Sequence, residues 1–230
     1  MLARILILFF ALFAFAANAQ EDPTNIYENA NDSDPAAISI LESLKVKYEN
    51  MSSMEIDFAI EIEIPEEDMI IQNGQMAKQG DKFRLDMEDQ SIISDGETLW
   101  FHLKKNNEVQ INNASMLEEE NEGFLTPDKL LTMYEGNEFV FVLSSEYTKD
   151  GKQLQEIECK PTDRDSDYSK MRISVNKKKQ EIDHIKAFSK DGSRYTFVSK
   201  NLSSNKSFGE SHFKFNKSDF PDVYVEDMRN

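Results

Sequence analysis

From Met54 to Ile64 the chain alternates without a break, with Met54, Ile56, Phe58, Ile60, Ile62 and Ile64 on one parity and Glu55, Asp57, Ala59, Glu61 and Glu63 on the other. A period of two puts successive side chains on opposite faces of an extended backbone, so this run predicts a long strand with one dry and one wet face. Its six large apolar side chains need a surface or a ligand to cover them. Pro65 ends the run, and Glu66-Glu67-Asp68 makes a solvated turn. A second strand is expected over 69–78, with Gly74 as a bulge, and a third over 82–87 after the reversal at Gly80-Asp81.

The stretch 92–111 adds a meander. Runs of β-branched and aromatic residues flank Asp95-Gly96, a dipeptide whose tolerance of positive φ suits a tight reversal, and a second polar reversal follows at Lys104 to Asn107. The middle strand, Thr98 to Leu103, carries the chain's single Trp at position 100 and is apolar on both faces. It is expected to lie centrally, with one face on a core and the other on a second apolar surface.

Here the residues also carry a resemblance. The run SDGETLWFH at 94–102, followed by a polar turn and a further strand, is similar to the signature hairpin of the outer-membrane lipoprotein carrier (LolA) family, periplasmic chaperones that ferry lipoproteins between membranes. Other landmarks fall in that family's order: a helix and a long alternating strand, Gly74, the segment Asp81-Lys82-Phe83-Arg84-Leu85, then Leu125-Thr126-Pro127 opening a Leu-rich helix, a strand ending Lys160-Pro161, and a final Val225-Glu226-Asp227-Met228-Arg229. The resemblance spans 36–229. It implies an unclosed β-barrel with helices across its mouth, enclosing an apolar cavity for acyl chains. It further implies triacylated lipoproteins as cargo, an inner-membrane ABC lipoprotein-releasing transporter as loading partner, and an outer-membrane receptor or the membrane itself as acceptor.

The remaining segments fit that frame. Residues 1–19 read as a signal peptide, with one basic residue, Arg4, an apolar run from Ile5 to Ala17, and Ala17-Asn18-Ala19 as an A-x-A cleavage signal before Gln20. That run falls short of the roughly 20 apolar residues a membrane span needs. With no Cys after it to be acylated, the exported chain is expected to be a periplasmic protein without a lipid anchor. Residues 20–33 are polar and read as a disordered leader. One carrier-like domain is expected over 34–230.

Asp34-Pro35 reads as an N-cap followed by Pro in the first helical position, and Ile38, Leu41, Leu44, Tyr48 and Met51 recur at helical spacing to about Asn50. After an acidic loop over 112–123, Thr126-Pro127 begins a short helix with Leu130, Leu131, Met133 and Tyr134, stopped by Gly136. Strands resume over 138–147, 153–160, 169–176, 181–189, 194–200 and 212–216, separated by Asp-Gly and Asn-Lys turn signals. The expected fold is therefore mainly β in the α+β class: about eleven antiparallel strands in an incompletely closed barrel, with two or three short helices as a lid over an apolar cavity.

Composition narrows the function. The formal net charge is −17, one unit more negative once Arg4 leaves with the signal peptide, which argues against nucleic acid and anionic headgroups as partners. His102, His184 and His212 lie in separate strands with no ligand spacing, and Asp163-Arg164-Asp165-Ser166-Asp167 departs from a calcium loop at its sixth position, Tyr168, and its twelfth, Ser174. No metal, cofactor or catalytic constellation is assigned, and no enzymatic activity is expected. Cys159, alone of its kind, reads as a buried inert thiol. A monomer is expected.

The candidate acyl-chain lining is Ile56, Phe58, Ile60, Phe83, Leu85, Leu99 and Phe101 from the first strands, Phe139 and Phe141 from the later sheet, and Leu130, Leu131 and Met133 from the lid. A one-residue slip of register would turn any of these strands the other way. The best-known members of the family place a lid-latching Arg in the turn before the Phe-containing strand. Gly80 stands there in this chain, which leaves Lys82 and Arg84 as candidate latch residues. A binder or sensor of free lipids or other hydrophobic molecules is the alternative function.

Overall fold

The computed structural model describes residues 32–116 and 135–229. The signal peptide expected at 1–19, all but the end of the leader expected at 20–33, and the helix expected from Pro127 to Tyr134 lie outside the described residues.

Twelve strands form one sheet that is not closed: β1 (Met54–Glu63), β2 (Ile70–Gln79), β3 (Lys82–Met87), β4 (Gln90–Ser94), β5 (Thr98–Leu103), β6 (Glu108–Asn113), β7 (Phe139–Lys149), β8 (Lys152–Pro161), β9 (Tyr168–Asn176), β10 (Glu181–Ser189), β11 (Arg194–Ser204) and β12 (Tyr224–Asp227). Their order is β12-β6-β5-β4-β3-β2-β1-β11-β10-β9-β8-β7. One α-helix, α1 (Pro35–Glu49), lies among the described residues, together with three short 3-10 turns.

Two expectations are corrected here. Among the described residues the count is twelve strands, because the C-terminal Tyr224–Asp227 adds a strand parallel to β6, an exception to the antiparallel rule that no alternation announces. The strand expected at 212–216 is instead a 3-10 turn, Glu210–Phe213, whose aromatic residues pack by ring contacts with no ladder. By packing, the described residues fall into two compact units that interleave in sequence: the first holds 32–49, 62–69 and 135–197, the second 50–61, 70–116 and 198–229.

In the first unit, helix α1 covers one face of β7–β10. Asp34 caps it, its carboxylate accepting the Ala36 N–H at 2.8 Å, with Pro35 in the first helical position where the missing N–H costs nothing. The same residue's backbone N–H donates to the Phe141 carbonyl at 2.7 Å, which stitches the helix start to β7. At the far end Lys47 reaches Glu181 at 2.8 Å, and the Tyr48 hydroxyl accepts the Ile182 N–H at 3.3 Å. Between these ties Ala37, Leu41 and Leu44 pack on Phe141, Ile157, Cys159, Met171, Ile173 and Val175, a core whose members are all under a tenth exposed.

In the second unit, the meander has the expected reversals. The Asp95 N–H bonds the Thr98 carbonyl across Gly96, whose φ of 94° only glycine adopts freely, and Asn107 closes the second turn at φ 50°. Each strand of β2–β6 pairs antiparallel with the next without a register shift, so cross-strand partners give the two faces directly.

Candidate functional site

Following the register across the second unit, Met76, Leu85, Ile92, Phe101 and Gln110 fall in one row, and Lys78, Phe83, Ser94, Leu99 and Asn112 fall in the next on the same face. Gly74 pairs with Met87 on that face, and the Phe58 ring lies against Gly74, so β1 turns Phe58, and with it Ile56 and Ile60, to the same side. The seven strand residues proposed from the early sequence therefore share one face, mostly apolar, whose polar members are Lys78, Ser94, Gln110 and Asn112. Ile56, Phe58, Ile60 and Leu99 are buried, whereas Phe83, Leu85 and Phe101 are half-buried. Met76, Ile92 and Met87 complete the face and were legible only once strand pairing was known, because Ile92 and Ile93 are equally apolar and periodicity alone cannot choose between them.

Gly74 makes no bulge. It sits in regular register, and its lack of a side chain admits the Phe58 ring: a Cβ there would stand 2.4 Å from Phe58 Cζ.

The opposite face mixes polar and apolar residues and is differently covered. There Asp86, Ser91, His102 and Val109 form one row and Ala77, Arg84, Ile93, Trp100 and Ile111 another. Asp86 accepts from Arg84 Nε and from the Ser91 hydroxyl, both at 2.5 Å, and Arg84 also donates to the His212 carbonyl at 3.3 Å. Burial alone would raise the Asp86 pKa, but the Arg84 and Ser91 hydrogen bonds outweigh it and hold the carboxyl below its usual range. Arg84 thus clamps the C-terminal segment on the face opposite to Phe83 and Leu85. Lys82 shares that parity and is exposed, and neither stands among the apolar lining.

The C-terminal segment fills this face with rings. His102 meets Phe220 and Phe215 edge-on at 4.4 and 5.5 Å, and His212 stacks on Phe208 at 4.6 Å. Burial, then nearby Lys104, lowers the pKa of His102; burial, then Arg84, lowers that of His212.

In the first unit, Phe139 and Phe141 join the core beneath α1, and Phe141 is 1% exposed. They are placed there by the Phe141–Cys159–Met171 row across β7, β8 and β9. Burial pushes the Cys159 thiol well above its ordinary pKa, which suppresses the reactive thiolate. A groove of about 310 Å³ beside α1 has a mixed lining, with Ile40, Leu44 and Val175 beside Ser39, Ser43, Gln155, Lys177 and Gln180. Leu130, Leu131 and Met133 lie outside the described residues. Among the described residues no cluster of His, Cys, Asp or Glu could hold a metal, and no helix is long and apolar enough to cross a membrane.

The profile of the outer membrane lipoprotein carrier protein LolA family matches residues 49–216. The chain belongs to the LolA family. An uncharacterized conserved protein from Thermus thermophilus shares the fold, with a TM-score of 0.55 at 10% identity over 85% of this chain and 99% of that one. The Mycobacterium tuberculosis lipoprotein LppX is similar at a TM-score of 0.48 and 10% identity, over 77% of this chain and all of that one. MucB in the Pseudomonas aeruginosa MucA/MucB complex is similar at a TM-score of 0.43 and 14% identity, over 79% of this chain and 61% of that one. No curated protein matches the sequence significantly. At such identities the likeness is one of fold, and the LolA match at 49–216 takes in the apolar face from Ile56 to Phe101.

Proposed function

We propose that this LolA-family chain is a periplasmic carrier that shields lipoprotein acyl chains against the apolar face of its second unit and moves them from the inner to the outer membrane. The observation that carries this reading is the gathering of Ile56, Phe58, Ile60, Phe83, Leu85, Leu99 and Phe101 on one face, while the Arg84–Asp86 pair and the histidines occupy the other.

The chemistry suits carriage. An acyl chain of about fifteen methylenes, at roughly 0.8 kcal/mol each, costs on the order of 12 kcal/mol to expose to water. A carrier must offset that cost yet give the cargo up, which favours broad apolar contact over a tight polar pocket. Nothing in such a role needs a cofactor or a chemical step. The loading energy would come from an inner-membrane ABC lipoprotein-releasing transporter, and delivery would go to an outer-membrane receptor or the membrane itself. The carrier acts as a monomer.

Native mass spectrometry of tagged protein captured from the periplasm tests the proposal. Intact triacylated lipoproteins in one-to-one complexes are expected. Fatty acids or phospholipids as the sole bound species would move the assignment to a binder or sensor of free lipids.

A further inference from the structure

Gly74 and Phe58 form a seat that bears on the acyl-binding face. The Phe58 ring lies over the Gly74 backbone so closely that an added Cβ would meet Cζ at 2.4 Å, Cε2 at 2.9 Å and the Asp86 carbonyl at 3.0 Å. The ring itself is 3% exposed. Gly74 is paired in regular register with Met87 and has no positive φ, so backbone conformation does not require glycine here. What requires it is the space the ring occupies.

We propose that Gly74 is a positioning residue that sets which acyl chains fit, by leaving the Phe58 ring room against β2 where a side chain would push it outward into the apolar face. The inference rests on the carrier reading. A methyl at position 74 cannot displace the Asp86 carbonyl, which is held in the β2–β3 pairing, so the ring must give way. To restore ordinary contact it must move by about 1 Å or tip off the strand, and tipping carries it into the layer shared with Met76, Leu85 and Ile92. An aromatic ring displaces the volume of several methylenes, and each methylene of lost contact weakens binding about fourfold.

The test uses the full chain with saturated fatty acids of ten to eighteen carbons displacing the fluorescent probe cis-parinaric acid. Wild type is expected to bind the longer acids better. Gly74→Ala is expected to weaken binding of the longest acids about tenfold and shift the optimum to shorter ones, and Gly74→Ala/Phe58→Leu is expected to restore the wild-type profile. A folded Gly74→Ala protein with an unchanged chain-length profile, or a profile that Phe58→Leu does not restore, would overturn the proposal. Should Gly74→Ala not fold, Phe58→Leu alone decides: an optimum shifted to longer acids supports the seat, and an unchanged optimum overturns it. If wild type binds no acyl probe, it is the carrier reading that fails.

Discussion

The imidazole of His102 stands edge-on to the ring of Phe220, centroids 4.4 Å apart, inside a face that also holds His212. Both histidines have pKa values lowered by burial, so the folded chain resists the proton that the unfolded chain takes up near pH 6.5. Stability from this pair is present above that pH and is lost as pH falls through the folded values. Asp86 pulls the other way on both rings, whereas Lys104 and Arg84 reinforce the effect. Denaturant midpoints at pH 7.5 and 5.5 check this: wild type is expected to lose more stability across the interval than His102→Phe/His212→Phe. Equal losses would remove the histidines from the account.

Helix α1 is held chiefly by Leu41 and Leu44, the latter 1% exposed. Leu44→Ala leaves a cavity in a close-packed helix–sheet layer and is expected to cost about 2–5 kcal/mol, read from equilibrium denaturation followed by circular dichroism.

Arg84→Ala removes a charge-assisted pair with Asp86 and the bond to the His212 carbonyl. A loss of about 1–3 kcal/mol is expected, with cargo retention per folded molecule unchanged, and Lys82→Ala is expected to be neutral on both counts. Faster cargo loss in either variant would support the latch role expected from the sequence.

Cys159 lies at 0% exposure beneath α1 with its thiol pKa raised by burial. A disulfide reagent such as Ellman's is expected to react with the thiol only as fast as the protein unfolds, and rapid labelling in the native state would contradict this placement.

The parts of the fold legible in the sequence are those with a period. Alternation from Met54 to Ile64 gave β1 and its apolar side, Asp95-Gly96 gave the hairpin, and Asp34-Pro35 gave the start of α1, each because local chemistry and tertiary packing agree. The segment from Phe208 to Val223 has no period. Its rings are fixed by a sheet face assembled from β2–β6, and β12 follows from that docking, so neither could be read locally. Gly74 suggested a bulge because a strand glycine has two common explanations, and only the position of Phe58 distinguishes them. For the candidate site, choosing between neighbours such as Phe101 and Trp100 needed the register, since β5 is apolar on both sides.

That neighbouring pair offers the most direct test of the carrier reading. Phe101 and Trp100 are adjacent on β5 but face opposite ways, one with Leu85 and Ile92, the other with Arg84 and Ile93. Replacing each in turn with the photo-reactive p-benzoylphenylalanine, in cells labelled with radioactive palmitate, reports which face meets acyl chains. Cross-links to labelled lipoprotein from position 101 and none from position 100 are predicted. Equal cross-linking from both positions, or from position 100 alone, would contradict the assignment of the apolar face as the site of carriage.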